Sequence, residues 1–563
     1  MNNNDTRLVR AILTPHFGPQ VADVATALAG KGRQSQRQLA RSSGQPAPLV
    51  RAALVVLLQH GLAAHYTAQN GSSDTTYYSL LMDRVRWRVR VPRYVRAAER
   101  MFADHGRLIA REMAVHGRRS LRQILDGTTI TTSSGSPPVA AAAADRERIR
   151  NTFIQMVHDL YLAPATADSG VSALDANLTD YTAQVKALGV MPSVKQIKDL
   201  NARRDRLAEE ALNNFQVVGL KRKPGVTSSE YRDKAHKSWD VDPDMPYALH
   251  HAQFHRQFTF DAMRATAATK INEVARKVLG SVIRLASDAG NAAAVTGARS
   301  SPYIQAISPA QVLRDCNVKD YQLQFGQYPA TALDKVTDYM VQLSRIHLLH
   351  FDPTTSTATL PTPAEYRSVA RRTHTVSYVT ARYGTSAARI VRALHHRGKL
   401  EEKQIAAACM LPAPLARSQC AAMLSQGIVD LLPVHKTADR HPGRSIYVYE
   451  VNDASVVRAT RAALELAVCN ALDRVSVATA SAEAALLRLE HARVAGKRWE
   501  SSSVSGPVSA AGATAPTAVD GAESAEGAVE EAERLRIKRV EAVRTLHVTT
   551  LRLDEDWLLF EDN

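Results

Sequence analysis

Two stretches of this chain decide its fold, because the second repeats the first without a gap. Residues 38–61 read QLARSSGQPAPLVRAALVVLLQHG, and residues 404–427 read QIAAACMLPAPLARSQCAAMLSQG. The shared Pro-Ala-Pro-Leu begins at Pro46 in one and at Pro412 in the other, an offset of 366 residues, and matches continue outward at that offset. Such self-similarity indicates that one structural unit occurs at least twice.

Each copy has the pattern of three helices followed by a β-hairpin. In the first copy a short helix is expected around residues 35–42, and Pro48 opens the third helix, where its missing N–H is not needed. One face of that third helix carries apolar residues at the spacing of a packed amphipathic helix, namely Val50, Ala53, Leu54, Leu57 and Leu58. Residues 62–67 and 75–80 flank an Asn-Gly loop, which predicts a hairpin. Three helices and a hairpin form a winged helix, a variant of the helix-turn-helix.

Two fainter copies lie between the outer ones. Residues 117–124 echo residues 32–39. In the other faint copy Ser308 and Pro309 start a helix, and residues 347–360 are expected to form the wing. The polar stretch between the faint copies, with a helix expected at 193–214, is interpreted as an insertion into the wing of the second copy.

The composition narrows the class of protein. A net charge of +16 over 563 residues favours an acidic partner, of which nucleic acid is the usual one. No apolar stretch is long and charge-free enough to predict a membrane span, and the first residues lack the pattern of a signal peptide. The four cysteines form no CxxC pair, so they are expected to be small core residues in a reducing compartment rather than metal ligands.

No pattern of catalytic residues emerges. His250, His251 and His255 are close in sequence, but no Glu-x-x-His motif or cysteine set accompanies them. A solvated or partner-facing histidine cluster is therefore favoured over a metal site. Paired carboxylates, a phosphate loop and a nucleophile elbow are not recognisable either. The sequence predicts no active site, no cofactor and no metal.

Basic residues gather around the short second helix of the first copy. The third helix carries only one basic residue, Arg51, whereas a base-reading helix presents several polar or basic side chains to the groove. We therefore expect contact with phosphates, without sequence preference, although a merely solvated face fits equally well. The candidate nucleic-acid contacts are Lys31, Arg33, Arg37, Arg41 and Arg51.

A second basic segment, RVRWRVRVPRY at residues 84–94, follows the first wing. As a strand it would place four arginines on one face, and as a helix it would place Arg84 and Arg88 together. In both cases Trp87 is expected to pack inward, and the arginines to meet solvent, phosphate or an acidic partner surface.

The C-terminal region is rich in helix-forming residues. Two long helices joined by a Ser/Ala/Gly/Pro-rich linker favour an antiparallel helical hairpin or coiled coil. The apolar end, which contains Trp557, Leu559 and Phe560, has the composition of a docking tail.

The order of these pieces resembles one family, the largest subunit of the RNA polymerase III-specific heterotrimer. The resemblance covers most of the chain and is carried by segments at residues 15–18, 55–60, 84–94, 254–258, 383–452 and 553–560. It favours the helical form of the arginine segment. It also implies four extended winged helices, a coiled coil, no active site, and a nuclear protein that helps recruit the polymerase to promoters and open the DNA.

The resemblance implies partners as well. They would be the two smaller heterotrimer subunits, the clamp of the largest polymerase subunit, initiation factor IIIB, and double-stranded or melted promoter DNA bound without sequence preference. Arg84, Arg88, Trp557, Leu559 and Phe560 are the candidate docking residues. Two alternatives stay open, a stand-alone winged-helix regulator and a protein–protein scaffold.

The sequence thus predicts a mainly α protein with small β-hairpin wings, in four tandem extended winged-helix domains plus a C-terminal helical hairpin or coiled coil. The expected division is a first winged helix (1–91), a second (92–165) with a polar insertion in its wing (166–250), a third (251–365), a fourth (366–452), coiled-coil helices (453–500 and 526–552), a flexible linker (501–525) and a docking tail (553–563).

Overall fold

The computed structural model is mainly helical with small antiparallel sheets, which confirms the predicted fold class. Two compact units divide the chain, Pro19–Val376 and the combination of Met1–Gly18 with Ser377–Asn563. The structure describes residues 3–70, 73–127, 139–165, 170, 181, 185, 193–213, 220–222, 239–295, 303, 305–316, 331–435, 445–503 and 518–560.

The region of the first copy forms the predicted helices and hairpin. Its elements are α1 (Asn3–Phe17), α2 (Pro19–Lys31), β1 (Gln34–Ser35), α3 (Gln36–Ser43), α4 (Ala47–Gln59), β2 (Ala63–Asn70) and β3 (Ser73–Leu80). The strands form a sheet in the order β1-β3-β2. Four residues of the predicted apolar face, from Val50 to Leu57, are at most 4% exposed. Gly61 follows the end of α4 and has a φ of +64°, a backbone conformation that glycine adopts without strain.

The region of the second copy begins with the basic segment, which is helical. Its elements are α5 (Met82–Trp87), a 3-10 turn (Arg88–Arg90), α6 (Val91–His116), β4 (Arg119–Ser120), α7 (Leu121–Gly127), α8 (Val139–His158), β5 (Leu162–Pro164), α9 (Val194–Asn213), β6 (Leu220–Arg222), β7 (Trp239–Val241) and β8 (Pro246–Leu249). β8 pairs with both β4 and β5, so the stretch between β5 and β8 connects two strands of one sheet, and its interpretation as an insertion into a wing stays a prediction. The helix expected in the insertion is α9, and most of the remaining insertion lies outside the described residues.

The region of the third copy shows the same order of elements. They are α10 (His251–Lys270), α11 (Glu273–Val295), α12 (Pro309–Asp315), α13 (Ala332–Arg345), β9 (His350–Asp352) and β10 (Thr357–Thr359). Ser308 caps α12, as predicted, by accepting a hydrogen bond from the backbone N–H of Gln311. Leu333, which the helical spacing places with the core residues of α13, is 41% exposed because it lies in the first turn of the helix.

The region of the fourth copy repeats the arrangement of the first. Its elements are α14 (Pro363–Tyr383), α15 (Thr385–Arg397), β11 (Leu400–Glu401), α16 (Glu402–Cys409), α17 (Ala413–Ser425), β12 (Asp430–His435) and β13 (Ser445–Glu450). The sheet order β11-β13-β12 corresponds to β1-β3-β2. The division into four tandem domains, with the boundaries given above, stays a prediction.

Two long helices, α18 (Asp453–Ser503) and α19 (Ala518–Leu559), pack against each other in the unit that contains both chain ends. In the same unit α1 packs on α18, where Arg7 pairs with Asp473. The helices extend into both sides of the predicted linker, and residues 504–517 lie outside the described residues. Residues 553–559 of the predicted tail are the helical end of α19, and residues 561–563 lie outside the described residues.

Within the described ranges, no helix combines the length and apolar character that crossing a bilayer requires.

Candidate nucleic-acid interface and arginine segment

The five basic residues predicted to contact nucleic acid are all exposed in the first copy, and we call them the basic set. Lys31 ends α2, Arg37 and Arg41 lie one turn apart on α3, and Arg51 lies on α4. Arg33 holds its Cζ atom 5.5 Å from the centre of the Tyr66 ring on β2, a cation–π contact. Among the described residues, none of the other four forms an ion pair or a side-chain hydrogen bond. Their charge is therefore available to an external anion.

The fourth copy carries basic residues at four of these five positions, but two of them are neutralised. Lys399, at the position of Arg33, lies 3.2 Å from Glu450, and Arg417, at the position of Arg51, lies 2.8 Å from Glu402. The first copy has no carboxylate at the corresponding places. Gln36 stands where Glu402 does, and Ser79 follows Tyr78 as Glu450 follows Tyr449 in the matching strand. At Arg51 the first copy thus lacks the carboxylate that compensates Arg417 in the fourth copy.

The outward face of α4 carries few side chains that could form hydrogen bonds with base edges. Its exposed residues include Leu49 and Val55, at 37% and 61% exposure, beside Arg51. A helix that reads the major groove presents amide or guanidinium groups, which pair with base edges. The structure therefore favours phosphate contact around α4 over base recognition by it.

The arginine segment turns inward, contrary to the expectation that its arginines meet solvent or a partner. Arg90 is fully buried and Arg86 is 7% exposed. Arg84 and Arg88 are half-buried and donate to backbone carbonyls, from Arg84 Nη1 to Gly61 O at 3.2 Å and from Arg88 Nη2 to Ala114 O at 2.8 Å. The alternation of arginines with apolar residues predicted an exposed arginine face. That prediction is wrong because short 3-10 and α-helical turns direct successive arginines to different sides. A docking role for Arg84 and Arg88 stays a prediction.

The histidine cluster is also not solvated, because it packs against the arginine segment. Trp87 lies with its ring centre 5.2 Å from that of His251 and 4.9 Å from that of His255. His255 Nε2 is 3.2 Å from Arg90 Nη1 and 2.8 Å from the Tyr94 hydroxyl, so the unprotonated nitrogen accepts from both.

Burial and neighbouring cations keep both histidines neutral. Burial, with Arg84 and His250 as further causes, lowers the pKa of His251 to about 3. Burial and then Arg90 lower the pKa of His255 to about 2. The described residues hold no group of three or more His, Cys, Asp or Glu side chains placed to bind a metal ion.

The C-terminal docking residues differ in their surroundings. Phe560 is 1% exposed, so its ring is part of this chain's own core, and a docking role for Phe560 stays a prediction. Leu559 is half-buried. The side chain of Trp557 lies outside the described residues.

Sequence reasoning missed Arg118, which is half-buried beside the arginine segment. Burial is the main cause that lowers the pKa of Arg84, and the charge of Arg118 is the second. The echo of residues 32–39 in residues 117–124 aligns Arg118 with Arg33 and was the available signal. What sequence could not indicate is that Arg118 faces Arg84, since the two residues belong to different copies.

Comparisons with known proteins agree with these observations. A family model described as the POLR3C C-terminal winged-helix domain matches residues 376–451, and one described as the RNA polymerase III subunit RPC82 helix-turn-helix domain matches residues 7–67. The DNA-directed RNA polymerase III subunit RPC3 of Bos taurus is 24% identical, with 84% of each chain covered, and that of Homo sapiens is 23% identical with the same coverage. The corresponding protein of Aspergillus terreus is 41% identical over 96 residues, 16% of this chain and 15% of its own.

Proposed function

We propose that this chain, which is similar to RNA polymerase III subunit RPC3 over most of its length, is a non-catalytic subunit of DNA-directed RNA polymerase III in the nucleus. Its work is to help bring the polymerase to the promoters of small RNAs, such as tRNA and 5S rRNA, and to help open the DNA there. The observation that carries the proposal is the match to similarly named subunits across most of the chain.

The role in DNA contact is assigned to the basic set. Its charges are exposed on the first copy, and α4 offers an apolar outward face rather than base-reading groups. Such a surface suits the phosphates of duplex or melted DNA, with an affinity that falls steeply with salt. The same observation speaks against the alternative of a stand-alone regulator that reads a specific site.

The partners proposed are the other polymerase subunits, namely the two smaller heterotrimer subunits and the clamp of the largest subunit, together with initiation factor IIIB. Exposed apolar residues on α18 and α19 suit such docking, since Val477 is 71% and Ile537 59% exposed. An accessory role of this kind requires no active site and no cofactor.

Purification of the tagged full chain from its own cells tests the proposal. We expect the other RNA polymerase III subunits to co-purify, and we expect depletion of the chain to abolish the permanganate-reactive bubble on a tRNA promoter. Recovery of the chain without polymerase subunits would contradict the proposal, and so would promoter opening that is unaffected by its depletion.

A further inference from the structure

The turn between α16 and α17 of the fourth copy carries an exposed methionine. Met410 is 85% exposed, the highest value among the large apolar residues that the structure describes. Its backbone is left-handed, with a φ of 50° and a ψ of 50°, and its N–H donates to the carbonyl oxygens of Ala406 and Ala407. A residue with a Cβ is strained in this conformation, whereas glycine is not. Met410 thus combines backbone strain with an apolar side chain that its own chain does not bury.

The first copy has no such strain at the matching turn. Gly44 lies there, at the offset of 366 residues, and its φ is +68°. Both turns lead into the shared Pro-Ala-Pro-Leu, which is exposed at residues 46–49 in one copy and at residues 412–415 in the other. A run of exposed apolar residues is typical of an interaction surface. Met410 adds to that run in the fourth copy, while Gly44 adds no side chain in the first.

A basic stripe lies on the outward face of α15. Arg389, Arg392 and His396 follow one another at helical spacing and are exposed, while the opposite face of the helix is buried. Among the described residues, none of the three forms an ion pair or a side-chain hydrogen bond. The first copy has Asp23 and Thr26 at the positions of the two arginines, so the shared framework does not require these cations.

Two observations place the stripe next to Met410. Burial raises the pKa of the Cys409 thiol, and the charge of Arg389 is the larger of two that oppose the rise, so this guanidinium lies near the residue that precedes Met410. In the first copy, Gln45 Nε2 donates to the Asp23 carboxylate at 3.4 Å, so the matching turn lies against the matching part of α2. Cations and apolar side chains therefore share one surface. This surface, the Met410 surface, is formed by Met410, residues 412–415, Arg389, Arg392 and His396.

We propose that the Met410 surface binds an acidic segment of a partner polypeptide that also carries apolar side chains. Carboxylates of the segment pair with Arg389 and Arg392, and an apolar side chain packs on Met410. Methionine is unbranched and polarisable, so it adapts to an apolar partner. Methionine and arginine are both enriched at protein–protein interfaces, whereas a sugar–phosphate backbone gains little from an exposed thioether. The Met410 surface is separate from the basic set, and its test does not depend on co-purification of the polymerase.

Fluorescence anisotropy of labelled probes with the full chain tests the proposal. The probes are a blocked Glu-Leu-Glu-Glu-Leu-Glu peptide, its Glu-Ser-Glu-Glu-Ser-Glu and Gln-Leu-Gln-Gln-Leu-Gln counterparts, and a short single-stranded DNA. We expect the first peptide to bind at least fivefold more tightly than either counterpart, because it alone offers both carboxylates and apolar side chains. Equal binding of the three peptides, or no binding of any, would overturn the proposal.

A charge variant and its matched control locate the contact. Arg389→Gln combined with Arg392→Gln should weaken binding of the first peptide at least fivefold. Arg111→Gln combined with Lys277→Gln removes the same charge from exposed positions on α6 and α11, and it should bind that peptide normally. Equal weakening in both variants would overturn the proposal. So would DNA binding tighter than peptide binding that is lost with Arg389 and Arg392, because the surface would then bind phosphates.

Met410→Gly separates docking from folding. Glycine removes the exposed side chain and relieves the left-handed strain. We therefore expect the variant to melt at a temperature no lower than the wild-type chain and yet to bind the first peptide at least fivefold more weakly. Unchanged peptide binding would overturn the proposal, because Met410 would then make no contact. A clearly lower melting temperature would also overturn it, because Met410 would then serve the protein's own fold.

Discussion

The first and fourth copies share a framework and differ in charge. Both place a two-residue strand against the hairpin, in the registers Gln34↔Tyr78 and Leu400↔Tyr449. Yet glutamates neutralise Lys399 and Arg417 in the fourth copy, while the first copy has Gln36 and Ser79 at the positions of those two glutamates. The buried spacing of apolar residues fixes the winged helix, and it leaves surface charge free to vary. In such a repeated fold, the surface charge of each copy therefore indicates its function better than the shared framework does.

The copies also differ in how closely other backbone approaches a shared glycine. Gly32, Gly117 and Gly398 occupy the same place in three copies, and their φ values are +76°, +80° and +78°. A Cβ at Gly32 or Gly398 would meet nothing within 4 Å, whereas one at Gly117 would lie 2.4 Å from the carbonyl oxygen of Gln59. The first and second copies touch at this point.

This close approach predicts a difference in stability between two glycine substitutions. Gly117→Ala should destabilise the protein by roughly 2–5 kcal/mol, because left-handed strain adds to a clash with fixed backbone. Gly398→Ala carries the strain alone and should cost about 1–2 kcal/mol. Urea unfolding measures the loss of unfolding free energy in the two variants. Equal losses would contradict the close approach between Gly117 and the Gln59 carbonyl.

A smaller effect is expected on the free energy of unfolding at acidic pH, and it arises from the two histidines that pack against the arginine segment. The pKa values of His251 and His255, about 3 and 2, lie below the ordinary value of 6.5, so between these limits the unfolded chain binds more protons than the folded one. Their contribution to stability is complete above about pH 6.5 and is lost as the pH falls below it. The charged groups that oppose protonation are Arg84, Arg88, Arg90, Arg93, Arg367 and His250.

His251→Phe tests this pH dependence, because it keeps a ring beside Trp87 and Tyr94 while removing one titrating group. We expect the urea midpoint of this variant to fall less between pH 7.5 and pH 5.5 than that of the wild-type chain. His547→Gln, an exposed position on α19, is the control and should follow the wild-type curve. A His251→Phe curve parallel to the wild type would contradict the burial of a neutral imidazole.

The smallest effect comes from exchanging the charge difference itself. Gln36→Glu gives the first copy the carboxylate that the fourth has, and it should weaken DNA binding a few-fold by neutralising Arg51. Glu402→Gln releases Arg417 in the fourth copy and should strengthen DNA binding slightly. Fluorescence anisotropy with a labelled duplex at low salt measures both. Stronger DNA binding by Gln36→Glu, or weaker DNA binding by Glu402→Gln, would show that these local ion pairs do not control the DNA contact.

Sequence reasoning succeeded where local rules decide. The stripe from Val50 to Leu57, the Asn-Gly hairpin and the Ser308 cap all follow from spacing and capping preferences, and all three occur. It also identified α9 inside the insertion. These features depend on residues within one or two turns of each other, so a pattern contains the necessary information.

It failed where distant residues decide. Arg90 is buried because His255, 165 positions away, accepts its hydrogen bond, and no periodicity in residues 84–91 encodes that partner. Phe560 belongs to an apolar end that has the composition of a docking tail, and yet its side chain is only 1% exposed. Tertiary contacts overrode the local pattern at both positions.

We expect the first copy, rather than the fourth, to contact DNA phosphates, and the salt dependence of binding distinguishes the two. Lys31, Arg33, Arg37 and Arg41 are changed together to glutamine in one variant, and Arg397, Lys399, Lys403 and Arg417 in its matched control. Each phosphate contact contributes about 0.9 to the slope of log K against log salt concentration, so the first variant should flatten the slope by roughly 3–4. The control should flatten it by less than about 1. Equal flattening by the two variants, or a larger change in the control, would contradict the account.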